Sequence, residues 1–385
     1  MKKNEKIFIF TIIILFFQIC RNINLGIYIF ILLISYLFLY FFSIKVKINK
    51  LNFTERIFLV SYIIIPINSI FYLKFNEYLI ALGRYLVTFP FVIYCFLYLK
   101  PNKKLIYRIW EYFVYFNILV SFSVIYQIFF GEITFFAKPS FRSGVVRYAS
   151  LAGSLTAFGT IGTFALAIIL FSNNEIFSEK KKIIYGIVIA FGMLLTLQKA
   201  AVANIIIILI LYIIFNLKKR KIYINLILFL ILSFFIVFFF KDTILGKYLI
   251  KTLTYFKGNN SLDTKTDFLI RITELPIKVI KENNIGLKNI FLGIGFKSLA
   301  GTLGLSKYPM AHNNYIDLIL SGGMFYIFSF IALLLKIIFS SFKQKIKISL
   351  IFSILIIINM FIGAASFYQP IMCVIVFLTF LKVDY

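Results

Sequence analysis

His312 is the only histidine of this chain, and it directly precedes a long apolar run. An imidazole, whose pKa is ordinarily about 6.5, accepts a proton from a sugar hydroxyl at neutral pH. Gly293 and Gly295 lie in the glycine-rich segment before it, and glycine permits tight turns and close approach of the backbone to a ligand. Asn313 and Asn314 either orient the imidazole, bind sugar or cap the next helix. We therefore expect His312 to act on a hydroxyl group, with an inert interfacial histidine as the alternative.

Three arginines outside the apolar runs are candidates for binding phosphate. Arg271 is the only arginine in the polar stretch 241–313, and its planar guanidinium suits bidentate contact with phosphate oxygens. Arg142 and Arg147 lie close together with a glycine between them, and two such arginines predict an anion pocket. The alternatives are an exposed charge on an amphipathic helix for Arg271, and contact with lipid headgroups for the other two.

Two further basic residues lie in or between the apolar runs. Arg84 lies inside the run 78–99, where a charge is costly and is a functional candidate by default. Its alternative is to snorkel toward the membrane surface. Lys199 lies in a predicted external turn, where it either binds an anion with the arginines or is solvated. We count both residues among the candidates for substrate binding.

The elements that must position these residues are membrane helices. The chain has 385 residues, of which 62% are hydrophobic and 14% charged, and no soluble domain of this size could bury so much apolar surface. The sequence predicts an all-α, polytopic integral membrane protein with about 12 transmembrane helices. The predicted spans are 7–20, 25–44, 57–73, 78–99, 109–130, 151–172, 183–197, 200–217, 222–240, 314–338, 348–362 and 367–381.

Three regions follow from these spans. Residues 1–240 hold helices 1–9, residues 241–313 form one large external loop, and residues 314–385 hold helices 10–12. Lysine and arginine are concentrated in the segments that this topology places inside, which predicts that both termini are cytoplasmic. The run 183–217 is too long for one crossing of a core about 30 Å thick, so we predict two helices there.

Several kinds of site are excluded by composition. The net charge of +27 does not indicate nucleic-acid binding, because the basic residues lie between apolar runs and form no continuous basic domain. Only three cysteines are present, Cys20, Cys95 and Cys373, and their spacing fits neither a disulfide framework nor a metal site. With a single histidine, a zinc site is not expected. We expect no metal and no cofactor.

Taken together, these features resemble the O-antigen polymerase and O-antigen ligase superfamily of bacterial surface polysaccharide assembly. The topology is similar along the whole chain, with one large external loop between the ninth and tenth helices. The local resemblance is carried by R-Y-A-S-L-A-G-S-L-T-A-F-G at 147–159, L-T-L-Q-K-A-A at 195–201, and Arg271 followed by G-I-G-F at 293–296 and A-H-N-N-Y-I-D-L-I-L-S-G-G at 311–323. The last group is the most specific. In the second stretch, Lys199 stands where the family commonly has arginine.

The resemblance implies a glycosyltransferase on the external face of the bacterial cytoplasmic (inner) membrane. Such enzymes move a glycan from undecaprenyl pyrophosphate to an acceptor sugar without a metal or a nucleotide sugar. Membrane lipid, a chain-length regulator and a flippase of the same pathway are the further partners it implies. It assigns catalysis to His312 and Arg271, and substrate binding to Arg142, Arg147, Arg84, Lys199, Asn313, Gly293 and Gly295. The leaving pyrophosphate gains charge as its bond breaks, which cationic side chains would stabilise in place of a divalent ion.

Three functions remain open from the sequence. A polymerase transfers the glycan to another lipid-linked repeat unit of an O-antigen or capsule, and we favour this reading. A ligase transfers it to lipid A core instead. A flippase is the alternative of a different class, but it usually places charges along a central path within its helices and has no large external loop.

Overall fold

The computed structural model describes most of the chain. The described residues are 3–44, 46–142, 145–154, 157–172, 176–196, 198–216, 286–298, 313–344, 347–361 and 369–380, with the single positions Glu274, Ile277 and Lys281. The predicted span 222–240, most of the predicted external loop, Arg271 and His312 lie outside the described residues.

The described chain is mostly helical. Its helices are α1 (Lys3–Phe16), α2 (Cys20–Ile23), α3 (Leu25–Ser43), α4 (Phe53–Ser69), α5 (Phe75–Tyr85), α6 (Phe89–Leu97), α7 (Lys103–Phe130), α8 (Ala157–Phe171), α9 (Glu179–Leu195), α10 (Lys199–Asn216), α11 (Leu287–Leu292), α12 (Asn314–Gln344), α13 (Lys347–Phe361) and α14 (Pro370–Phe380). A two-stranded antiparallel hairpin, β1 (Ser140–Arg142) and β2 (Val145–Arg147), precedes α8. Two helices, α9 and α10, occupy the run 183–217, as predicted.

Three of these helices are long and apolar enough to cross a membrane: α3, α7 and α12. The pair α5 and α6 is a fourth candidate if the two helices form one span, and the axes of the pair are bent by 44°. Pro90 lies in the first turn of α6, where it has no amide hydrogen to donate, and this favours the bend. Helices α8, α10, α13 and α14 are apolar but shorter.

The chain divides into two compact units. The first unit is discontinuous in sequence and comprises Met1–Ile109 and Thr266–Tyr385, whereas the second, Trp110–Lys265, is continuous. The boundary falls within α7.

The first unit is built around α4 and α12, which pack along each other. Their contact is aromatic, with ring centroids 5.2 Å apart for Phe58 and Tyr326. Helix α4 begins with a capping box, in which Asn52 and Glu55 each accept a backbone N–H from the other. The second carboxylate oxygen of Glu55 accepts from Lys336 of α12 at 3.0 Å. This ion pair therefore joins the start of α4 to α12.

Helix α3 supports the bend between α5 and α6. The buried hydroxyl of Tyr36 donates to the backbone carbonyl of Val87 at 2.7 Å, and Val87 lies between the two helices. A bend leaves carbonyl groups without their usual partner within the helix, and a buried carbonyl without a partner is costly. The tyrosine hydroxyl satisfies one of them.

The second unit packs α8, α9 and α10 closely. Gly192 of α9 lies against the backbone of Ser121 in α7, and a Cβ on Gly192 would lie 2.9 Å from the Ser121 Cα. Gly162 of α8 leaves room for the side chain of Met193 in the same way. Because glycine has no side chain, these helix axes approach more closely than larger residues would permit.

Candidate functional site

The glycine-rich segment 286–298 is docked within the first unit. It contains α11 and a 3₁₀ turn, Gly295–Lys297, and contacts both α4 and α12. Ile294 is buried with Leu320 in a small apolar cluster, against which Tyr72 and Ile316 pack. The sequence places this segment in an external loop, and the structure holds it against the ends of two helices.

Polar groups at the end of α4 hold the segment. The Ser69 hydroxyl accepts the Phe296 backbone N–H at 2.7 Å and donates to the Ile65 carbonyl at 2.6 Å. The Asn68 side chain donates to the Leu292 carbonyl at 2.6 Å. These bonds satisfy backbone groups of a segment that has little regular structure of its own.

Gly293 and Gly295 lie at the closest contacts of the segment with its neighbours. Their φ angles are +78° and +61°, which L side chains adopt with difficulty. A Cβ on Gly295 would lie 2.6 Å from the Ile65 carbonyl oxygen and 2.7 Å from the Ser69 nitrogen, and one on Gly293 would meet the backbone of Ser321. The close approach that these glycines permit is to α4 and α12, so packing alone explains them.

Helix α12 is broken where the segment docks. Gly323 has φ +79° and ψ −176°, a non-helical conformation inside the helix. The Ile294 N–H donates to the Leu320 carbonyl at 2.5 Å, so the segment supplies a donor at the break. The sequence predicted one uninterrupted span over 314–338.

Asn313 caps α12. Its side-chain oxygen accepts the backbone N–H groups of Tyr315 at 3.0 Å and Ile316 at 3.4 Å, and the residue is buried. Of the roles that the sequence left open for Asn313, the structure contains the helix cap. The neighbouring His312 lies outside the described residues.

Arg84 lies in the last turn of α5, one residue before Tyr85, whose ring packs 5.0 Å from that of Phe296. The guanidinium is half-buried, and its Nε atom has no hydrogen-bond partner among the described residues. The docked segment therefore contacts α5 as well as α4 and α12.

Arg147 is a second candidate, and it lies in the second unit. It ends β2 and is buried, and its Nε donates to the Thr196 carbonyl at 3.4 Å. Thr196 directly follows α9, so the buried guanidinium lies at the connection between α9 and α10. Positive charge within a membrane protein is costly unless it has polar partners, and it commonly marks a binding site.

The helix that follows Arg147 packs on the helix that follows Thr196. Asn204 of α10 donates to the Gly159 carbonyl of α8 at 3.2 Å, and Gly159 leaves room for the side chain of Gln198. Gln198 is itself buried. The bond from Arg147 to Thr196 and the contact of Gly159 with Gln198 thus join the stretches 147–159 and 195–201, which are separate in sequence. Arg147, Thr196, Gln198 and Asn204 are the polar cluster of the second unit.

The other candidates are placed only in part. Arg142 ends β1 and pairs with Val145 in the hairpin, and Lys199 begins α10, but nothing is described of either side chain. Arg271 and His312 lie outside the described residues, so neither can be related to the two sites.

Gln127 is a structural residue that sequence reasoning missed. It is buried in α7 and donates to the carbonyls of Ser123 at 2.9 Å and Ala149 at 2.7 Å. The second bond fixes the backbone just after Arg147. An uncharged amide within an apolar helix was the available signal, since such a group needs partners when buried.

The described residues contain no group of three or more histidine, cysteine or acidic side chains that could hold a metal ion. Comparison with known proteins finds no matching family model, no matching curated protein and no matching solved structure.

Proposed function

We propose that this chain is a membrane glycosyltransferase that polymerises oligosaccharide repeat units linked to undecaprenyl pyrophosphate. The reaction would take place on the external face of the bacterial cytoplasmic membrane and would build a surface polysaccharide. The observation that carries the proposal is the polar cluster of the second unit. Two of the stretches that resemble the superfamily are joined there, by the bond from the buried Arg147 to the Thr196 carbonyl and by the contact of Gly159 with Gln198.

The chemistry requires a binding site for a growing negative charge. An acceptor hydroxyl attacks the anomeric carbon of the donor glycan, a new glycosidic bond forms, and the bond to the pyrophosphate oxygen breaks. The pyrophosphate leaves with the electron pair of that bond, and the hydroxyl proton passes to His312. A buried guanidinium stabilises the leaving group more than an exposed one, because there is less water to screen the interaction. Arg147 is the described residue best suited to this role.

The proposal is tested by reconstituting the purified protein with lipid-linked repeat units from its own host and separating the products on a gel. The wild type is expected to make a ladder. Arg147→Ala is expected to lower the transfer rate by about 100-fold or more, the effect of removing one donor that stabilises a developing charge. Lys138→Ala is the matched control, because Lys138 is a basic residue of the same region but is exposed.

Other outcomes separate the alternatives. A single transfer that requires added lipid A core would identify a ligase. Transfer by the wild type that survives in Arg147→Ala would remove Arg147 from the site, and survival in His312→Ala and Arg271→Ala would remove those residues. No transfer with either acceptor would reject the glycosyltransferase and favour a flippase.

A further inference from the structure

The part of α12 before the break at Gly323, from Asn314 to Gly322, carries polar residues on one face. Asn314, Asp317 and Ser321 are spaced by three and four residues, which places them on the same side of a helix. The helix is one of the candidate membrane spans, where polar side chains are costly and mark functional sites. Ser321 donates to the Leu318 carbonyl within the helix, which leaves the other two residues to be explained.

Asn314 is buried without the partners that its amide needs. It is 3% exposed, and its Nδ2 atom has no hydrogen-bond partner among the described residues. A buried donor without a partner destabilises the folded state, so native structures rarely keep one without a reason. The neighbouring Asn313 differs, because its side chain is used in the helix cap.

Asp317 adds an acceptor beside this donor. It is partly buried three residues further along the helix, and no cationic side chain among the described residues pairs with it. Donor and acceptor are therefore three residues apart on one helix face, each without a partner of its own among the described residues. The group that satisfies both is a hydroxyl, which accepts one hydrogen bond and donates another.

The place of this pair in the fold limits the ligand. The docked segment 286–298 contacts this part of α12, before the break, through the bond from the Ile294 N–H to the Leu320 carbonyl. The pair lies at the N-terminal end of the helix, beside the predicted catalytic residue His312 in sequence. A ligand there would be held close to the end of the span.

We infer that Asn314 and Asp317 bind a hydroxyl group of the acceptor sugar. Asn314 donates its Nδ2 hydrogen to the sugar oxygen, and that hydroxyl donates its hydrogen to the Asp317 carboxylate. The inference rests on the proposed function for the identity of the sugar as acceptor. By holding this hydroxyl, the pair selects and orients the acceptor.

The test uses full-length protein with lipid-linked repeat units as donor and the lipid-free repeat-unit oligosaccharide as acceptor. Direct binding of the lipid-free oligosaccharide is measured in parallel. Asn314→Ala and Asp317→Asn are each expected to raise the KM for the acceptor, and its Kd, by about tenfold or more, the usual effect of losing a hydrogen bond to a buried or charged group. The kcat is expected to change much less.

The matched control is Asn359→Ala on α13. Asn359 is also a buried asparagine of an apolar helix, but its Nδ2 donates to the Leu355 carbonyl of its own helix. This variant is expected to keep the acceptor KM of the wild type. Thermal stability separates binding from structure, since Asn314→Ala removes a donor that has no partner. It is expected to keep or gain stability while it loses affinity.

The outcomes distinguish this inference from the function on which it rests. If the wild type transfers glycan and both variants keep its acceptor KM, the hydroxyl site is wrong and the proposed function stands. If the wild type does not transfer but binds the oligosaccharide, and both variants weaken that binding, the site stands and the proposed reaction is wrong. If the wild type neither transfers nor binds, both are wrong.

Discussion

Replacing Gly295 by alanine should be far more damaging than its small change in volume suggests. The residue has φ +61°, and an L residue in this region costs about 1–2 kcal/mol. The added Cβ would also lie 2.6 Å from the Ile65 carbonyl oxygen and 2.7 Å from the Ser69 nitrogen. Both are backbone atoms of α4, which cannot rotate away as a side chain can. The segment 286–298 must therefore lift from the helix.

The lifted segment loses the bond from the Phe296 N–H to the Ser69 hydroxyl, which is now 2.7 Å long and buried. A buried N–H without a partner costs about 1–3 kcal/mol. Together with the backbone term, Gly295→Ala is expected to destabilise the protein by about 2–5 kcal/mol.

Gly131→Ala provides the matched control. Gly131 has φ +92°, but nothing lies within 4 Å of the position that its Cβ would take. It therefore carries the backbone cost of about 1–2 kcal/mol without the collision. The difference between the two variants measures how tightly the segment is docked on α4.

Both variants would be heated in detergent and the folded fraction measured by size-exclusion chromatography. At roughly 2–4 °C per kcal/mol, the unfolding midpoint is expected to fall on the order of 10 °C for Gly295→Ala and about 3 °C for Gly131→Ala. Thiol labelling in a Cys20→Ser background localises the change, because Cys20 is exposed whereas Cys95 and Cys373 are buried in the first unit. Equal midpoints for the two glycine variants would refute the reasoning, because the collision with α4 would then contribute nothing.

Three further predictions concern the helices that carry the sites. On α9, Gly192→Ala should lower the unfolding midpoint by several degrees more than Gly186→Ala. The added Cβ would lie 2.9 Å from the Ser121 backbone in the first variant and 3.6 Å from a side-chain methyl of Ile169 in the second. Equal effects would contradict close packing at Gly192. Glu55→Ala should lower the free energy of unfolding by about 0.5–1 kcal/mol more than Lys336→Ala, since the glutamate also accepts the backbone N–H of the N-cap residue Asn52. A double-mutant cycle in chemical unfolding measures the interaction energy of the ion pair itself. Tyr36→Phe should destabilise by about 1–2 kcal/mol through loss of its buried hydrogen bond, with unchanged stability as the contrary result.

The positions of the helices were largely predictable from the sequence. Burial in lipid or in a core requires long apolar runs, and each predicted span within the described residues contains helix. Only three of these helices are long and apolar enough to cross a membrane, or four spans if α5 and α6 form one. Whether a span is one straight helix or two helices with a bend was less predictable, because the periodicity of apolar residues does not indicate a bend. The run 78–99 was expected as one helix, and it is two helices bent after Thr88, with Pro90 in the sequence as the available signal.

The break in α12 and the docking of the segment 286–298 were not predicted. Glycine is more frequent in membrane helices than in soluble ones, so the Ser-Gly-Gly sequence at 321–323 does not by itself indicate a break. The docking depends on bonds between residues more than 200 positions apart, such as Phe296 with Ser69. No local pattern contains this information.

The sequence named candidate residues but not how they are arranged. The sequence singled out Arg147 and Lys199 separately, and the packing of their stretches became visible only when α8 was seen against α10. For Asn313, the sequence left helix capping and sugar binding equally open. The structure shows the cap, since the Asn313 side chain accepts a backbone N–H from the first turn of α12. This bond depends on a side-chain rotamer, which the sequence does not specify.

The sequence separation of the two parts of the first unit has a consequence for biosynthesis. Three bonds between the end of α4 and the docked segment join residues 217, 224 and 227 positions apart. A ribosome adds about 5–20 residues per second, so at least about ten seconds pass between the synthesis of α4 and that of these partners. The second unit, continuous from Trp110 to Lys265, is complete before they emerge. The order of synthesis thus lets the Arg147 cluster form before the segment 286–298 can dock on α4. The first unit is therefore the last to complete its packing.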